Sequence, residues 1–149
     1  MKSEPDVYSI DDLAAKSPAM WEGCRNYTVR IFFRDQMAIG DLAFFYSSNA
    51  DPSGIAGVMQ IVSEAYPDPT QFDPNSHYFD PKSPVEAPRW VLRDVAFLEK
   101  FKRVIPLAEL KEHPGLQEMM VVKKGQRLSV MPVTPEEWGI VMAIPGIRG

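Results

Sequence analysis

GDLAFFYSSNADPSGIAGVMQIV, residues 40–62, decides the fold. Leu42, Phe44 and Tyr46 alternate with Ala43 and Phe45, so residues 41–47 read as a strand apolar on both faces. Such a strand is covered on both faces, as in a small barrel or a covered sheet. Residues 47–54 (SSNADPSG) then turn polar, rich in hydroxyl and amide groups and punctuated by Pro52 and Gly54, which marks a turn. The apolar run resumes over 55–62 with Gly57 inside it. A strand glycine weakens a sheet unless a bulge, a bend or a close approach requires it. The ribbon thus ends in small hydrogen-bonding groups beside aromatic rings, a layout that suits a pocket at a barrel mouth. An ordinary hairpin with a polar turn is the plainer reading of the same residues.

Upstream, Ser9 is placed to cap a helix over 10–16, with Asp11 and Asp12 in its first turn, and Ser17-Pro18 ends it. A loop carrying Trp21, Gly23, Cys24 and Arg25 follows. Asn26 is placed to cap a second helix running to about residue 37, with Val29, Phe32 and Phe33 inward and Arg30 and Arg34 outward. Downstream, residues 64–88 form a long connection with six prolines and four aromatic residues. Its length points to function and its aromatic content to a packed segment. A strand is expected over 89–99, a helix over 107–112, a helical turn over 114–120, a basic turn at Lys123-Lys124-Gly125-Gln126 and a short strand over 127–133. Thr134, Pro135 and Glu137 make a capping box for a last helix, 135–144. This order predicts an α+β domain on a small mixed sheet or barrel. It lacks the βαβ alternation of a dinucleotide fold and any Gly-rich phosphate loop.

A chain of 149 residues, 45% of them apolar, fits one domain with a full core. No apolar run approaches the roughly 20 residues that span a membrane, and no leader is expected at the start. The single cysteine excludes an internal disulfide and fits a reducing, cytoplasmic setting. The net charge of −4 argues against a protein that grips long stretches of nucleic-acid backbone, since phosphate contacts demand a basic surface. Nucleic acid, if bound, is held by a local patch and a specific pocket; the alternative is a small ligand.

Cys24 beside Arg25 is a candidate nucleophile, and His77 and His113 are the available partners; a small core or loop thiol is the competing reading. His77, Asp68, Asp73 and Asp80 match no metal-loop spacing, so no metal and no cofactor are expected. Glu4, at the end of the expected first strand, is a carboxylate placed to accept from an exocyclic amine. Trp21, Tyr46, Tyr78 and Phe79 fall in loops or at strand ends near amides and hydroxyls, which together offer a flat base faces to stack on and edges to bond. Arg25, Arg30 and Arg34 are candidate phosphate contacts, and Lys123, Lys124 and Arg127 form a second small cluster.

The strings MKSEPDVYSIDDL, WEGCRNYTVR, GDLAFFYSSN, GIAGVMQIVSEAYPDPTQFDP, HYFDPKS, PRW and RLSVMPVT resemble, in order and along the whole chain, the EVE domain. The resemblance implies a PUA-like fold, a small β-barrel of about five to six strands with surrounding helices, akin to ASCH and YTH domains. It implies recognition of a modified base, particularly modified cytosine in DNA, with methyladenine and RNA as further options. Comparison with YTH domains implies a ligand site at Lys2, Ser3, Glu4, Trp21, Arg25, Asn26, Tyr46, Ser47, Ser48, Asn49, Tyr78 and Phe79, with Trp21 and Tyr78 as walls and Trp90 in the core. Ser47, Cys24 and Ile31 replace the His, Val and Asn common in the family, and the first strand looks short.

The expectation is therefore a monomeric, non-enzymatic binding module for nucleic acid carrying a modified base, or for a free modified nucleoside. Trp21 and Tyr78 would stack, Glu4, Ser47 and Asn49 would read the base edge, and truncating Trp21 would leave the fold intact. The alternatives are a small ASCH-like amidohydrolase and a general RNA-binding adaptor.

Overall fold

In the computed structural model, which describes residues 1–148, the chain builds a five-strand mixed sheet with four α-helices around it. The strands are β1 (Lys2–Ser3), β2 (Ala19–Met20), β3 (Leu42–Ser47), β4 (Gly54–Ile61) and β7 (Asp94–Pro106), in the order β1-β3-β4-β7-β2. β1 runs parallel to β3; every other pairing in this sheet is antiparallel. The sheet curls into a half-barrel. β5 (Tyr66–Pro67) and β6 (Val91–Leu92) form a separate two-stranded ribbon.

The hairpin of residues 40–62 is the middle of the sheet. Phe44, Phe45 and Tyr46 of β3 and Ile55, Val58 and Met59 of β4 are all buried. One face packs under the C-terminal helices, where Phe44 stacks on Trp138 with centroids 3.9 Å apart. The other face packs Phe45, Ala56 and Met59 against Leu13, Val29 and Phe33. Coverage on both faces is why this run is apolar throughout instead of alternating. Gly57 sits where the β4–β7 register shifts. A Cβ there would collide with the Glu99 carbonyl and the Ile10 methyl, so the glycine admits both β7 and the first helix.

α1 (Ile10–Lys16) begins at Ser9 with a full capping box to Asp12, and α4 (Pro135–Met142) begins at Thr134 with another to Glu137. α2 (Tyr27–Ile31) is shorter than its sequence pattern. After Ile31 the backbone widens into a π-turn over Phe32–Gln36, which still delivers Phe33 to the core. α3 (Leu107–Glu112) follows β7 directly. The expected break between residues 99 and 104 is absent, because β7 absorbs it in bulges and runs unbroken for 13 residues. The strand does break at Arg93 instead. That side chain is 3% exposed and donates to the carbonyls of Phe33 (2.6 Å), Met37 (2.7 Å) and Ser63 (3.0 Å). Residues 127–133 form no strand; Lys2 N–H donates to the Ser129 carbonyl at 2.7 Å, and the segment lies along β1 as irregular extended chain.

The long connection is packed, and polar groups pack it. Gln71, fully buried, donates to the Asp68 and Trp90 carbonyls and accepts from Trp90 N–H and the Ser83 hydroxyl. All four bonding sites of one amide side chain are used, which fixes three distant parts of the loop to one another.

Candidate functional site

β1 and the end of β3 bring seven of the twelve sequence-predicted ligand residues together. Parallel pairing sets Lys2 beside Tyr46 and Ser3 beside Ser47. Ser48 N–H donates to the Ser3 carbonyl at 2.9 Å, and the Ser3 hydroxyl to the Tyr8 carbonyl at 2.6 Å. Beyond the strand ends, Asn49 Nδ2 donates to Glu4 Oε1 at 2.5 Å. Both side chains are exposed, and Asn49 has φ of 50°, a left-handed conformation that asparagine tolerates. The clasp leaves one carboxylate oxygen and the amide oxygen, both acceptors, without a partner among the described residues. Lys2 lies with its ammonium 5.8 Å from the Tyr46 ring centroid, and burial holds its pKa below the usual lysine value. Ser47 is buried beneath the clasp.

A second group forms around the Trp21–Arg25 loop. Gly23 has φ of 85° and lies directly under the Tyr78 ring, where any Cβ would overlap it. Arg25 uses all five of its guanidinium donors: two on the Tyr78 carbonyl, and one each on the Cys24 carbonyl, Asp68 and the Thr70 hydroxyl. Asp68 is fully buried and takes Gly23 N–H at 2.8 Å and Arg25 at 3.1 Å. Burial works to raise its pKa, but the Gly23 amide, Thr70 and Arg25 outweigh this and hold it below the ordinary carboxylate value. Arg25, His77, Tyr78, Phe79, Asp80 and Trp90 enclose a shallow cavity of about 310 Å³.

Contacts join the two groups. Tyr78 rests on Gly23; the next residue, Cys24, places its Sγ 4.0 Å from Ser129 Oγ; and Ser129 accepts from Lys2. These contacts run from Tyr78 as far as Lys2, two residues before Glu4.

Five of the candidate residues are already engaged within the fold, Asn26 in the capping role also expected of it. Trp21 is 7% exposed, meets Phe45 edge-on at 5.6 Å and belongs to the core, so its truncation is not a silent probe of binding. Arg25 has no donor left for a phosphate; it braces the loop. The Asn26 side-chain oxygen is taken by the N–H groups of Thr28 and Val29 as the cap of α2. Arg30 turns toward the Tyr27 ring and the Arg89 carbonyl, and Arg34 pairs with Asp35 at 3.3 Å. These two arginines therefore sit on the α2 side. Phe79 is 39% exposed at the rim of the Tyr78 cavity.

Cys24 does not have the character of a nucleophile. Burial pushes its thiol up to about 11 despite Arg25 nearby, because the arginine is spent on Asp68 and carbonyls. Among the described residues no group of three or more His, Cys, Asp and Glu side chains is placed to hold a metal. A larger cavity, about 590 Å³, runs along β3 from Leu42 to Tyr46 and is lined also by Met1, Lys2 and residues 130–135. Its walls are mainly aliphatic, thioether and aromatic, which offers a base edge little to bond.

Two participants escaped the sequence reading. Asp68 looked like a proline-flanked turn former, and the signal for its capping role is the Thr70 two residues on. Ser129 lay in an expected strand with no pattern to mark it.

The EVE domain family model matches residues 1–144. Human thymocyte nuclear protein 1 is 44% identical over 97% of this chain and 72% of its own length. Among solved structures, a Pseudomonas syringae protein shares 50% identity with a TM-score of 0.93, covering 96% of this chain and 95% of its own. The human THYN1 protein, crystallised in complex with 5-methylcytosine-containing DNA, shares 44% identity with a TM-score of 0.90, covering 96% and 94%.

Proposed function

Since the chain belongs to the EVE domain family, we propose that it is a non-enzymatic module that binds DNA carrying a modified cytosine, 5-methylcytosine first. The observation that carries this is the likeness, across almost the whole of both chains, to a relative crystallised with 5-methylcytosine-containing DNA. The local geometry supports it. The Glu4–Asn49 clasp presents acceptors of the kind that meet the cytosine exocyclic amine. The Tyr78 ring, seated on Gly23 and held by Arg25, offers a rigid stacking face one short run of contacts away. A duplex base must leave its stack to reach such a site, so single-stranded or locally opened DNA is the preferred form. The half-buried Cys24, its thiol pushed up to about 11 by desolvation, weighs against a thiol-based hydrolase.

The test is an equilibrium binding panel of short oligonucleotides with one 5-methylcytosine, 5-hydroxymethylcytosine, N6-methyladenine or unmodified base, in DNA and RNA. Tyr78→Ala is the variant of choice, since Tyr78 is only half-buried. Losing one base–aromatic stack removes about 1–3 kcal/mol, roughly a 10- to 100-fold loss of affinity. Equal affinity for modified and unmodified DNA, unchanged in Tyr78→Ala, rules the reading out.

A further inference from the structure

We propose that the turn Lys123–Arg127 is the surface that grips the nucleic-acid backbone, in place of the arginines of the Trp21–Arg34 region. The inference rests on the base-binding reading above and locates the phosphate contacts for that same site.

Charge is the first argument. Residues 119–133 contain no carboxylate and three cations, Lys123, Lys124 and Arg127, in a protein whose net charge is −4. All three are exposed. Lys123 pairs with the exposed Glu118 at 3.1 Å, while Lys124 and Arg127 have no ion pair among the described residues. Arg25 and Arg34, by contrast, are already bound to carboxylates, and Arg30 to a carbonyl and an aromatic ring.

Position is the second. Lys2 N–H donates to the Ser129 carbonyl, so the 127–133 segment lies against β1. Residues 130–135, which follow, line the larger cavity along β3. Arg127 lies two residues from Ser129, and Lys2 lies two residues from Glu4, so this one hydrogen bond tethers the turn within a few residues of the Glu4–Asn49 clasp. Gly125, at φ of 81°, closes the turn there, and Leu128 N–H donates to Gln126 Oε1 at 3.1 Å. Three exposed cationic side chains are thus tethered beside the strand that leads to the clasp. An acidic protein that reads a base needs such a local positive rim, since its overall field repels the strand.

The experiment compares the double variant Lys124→Ala/Arg127→Ala with a control of equal charge change elsewhere, Lys102→Ala/Lys111→Ala. Affinity for one 5-methylcytosine oligonucleotide and its unmodified twin is measured from low to moderate salt. The turn variant is expected to weaken binding to both oligonucleotides by the same factor. The slope of log K against log[salt] should flatten by about 1.4 in single-stranded DNA, about 0.7 for each lost phosphate contact. The modified-to-unmodified ratio should stay unchanged. The control should keep the wild-type slope. A turn variant that matches the control overturns the proposal while leaving base reading intact. A wild type with no base preference but with this slope change sinks the reading of the base and keeps the backbone surface. Absence of any binding sinks both.

Discussion

Arg25 and Asp68 form an ion pair at 3.1 Å in which the carboxylate is wholly buried and the guanidinium is 21% exposed. The pair ties the loop after β2 to the start of the long connection, and through the Tyr78 carbonyl to its far end. Every donor of the arginine is occupied within the fold, so the pair orders the loops it joins.

Removing the acid should be costly. Asp68→Ala strands the arginine and the Gly23 and Thr70 donors in a buried place, and breaking such a pair costs about 3–5 kcal/mol. A urea melt of the variant should show that loss, and DNA affinity should fall with it.

Acid should act through the same group. The folded carboxyl of Asp68 titrates below its unfolded value of about 3.9. Its contribution is therefore complete above that value and declines as pH falls through the lower, folded one. Wild type should lose stability below about pH 4 more steeply than Asp68→Asn, which has no proton to take up. Parallel curves for the two proteins would contradict this.

Gly23→Ala should harm binding through Tyr78. A methyl at φ of 85° is strained by about 1–3 kcal/mol and overlaps the tyrosine ring, which must leave its seat. Discrimination between modified and unmodified DNA should fall by at least as much as in Tyr78→Ala, and a structure of the variant should show the ring displaced.

Cys24 should resist alkylation. With its thiol near 11, the thiolate is roughly a thousandth of the population at pH 8. Iodoacetamide should modify the folded protein far more slowly than the same protein in urea. Rapid labelling of native protein at pH 8 would show that the thiol is open and ionisable.

Glu4→Gln should separate charge from shape. The clasp is exposed, so stability should change by less than about 0.5 kcal/mol. One acceptor becomes a donor that opposes a cytosine amine, and affinity for modified cytosine should drop roughly tenfold or more. Thermal unfolding and the binding panel together decide it.

The elements that were legible in the sequence are those whose signals are local. Ser9 and Thr134 each announce a capping box and each makes one. Residues 40–62 announce a doubly covered hairpin, and β3 and β4 fall within a residue of expectation. The errors arise where tertiary contacts decide. Arg93 looks like a strand residue, yet three carbonyls from elsewhere in the chain hold its guanidinium and interrupt the strand. Trp21 sits in a loop by pattern and in the core by contact with Phe45. Arg25 carries the charge a phosphate wants, but Asp68, more than forty residues away, takes it first, and no spacing in the chain records that meeting.

The buried anchors of the long connection, Asp68 and Gln71, lie on one side of the exposed stretch 73–79, and Ser83 and Trp90 close it on the other. That stretch is an arch on fixed piers. Its outward side chains can be exchanged for others without disturbing the half-barrel, whereas grafting the whole connection from a relative requires Arg25 and Gly23 to travel with it. If the proposed base reading holds, ligand preference is thus separable from stability at the arch and inseparable from it at the piers, which makes residues 73–79 the natural place to retrain the module for a different base.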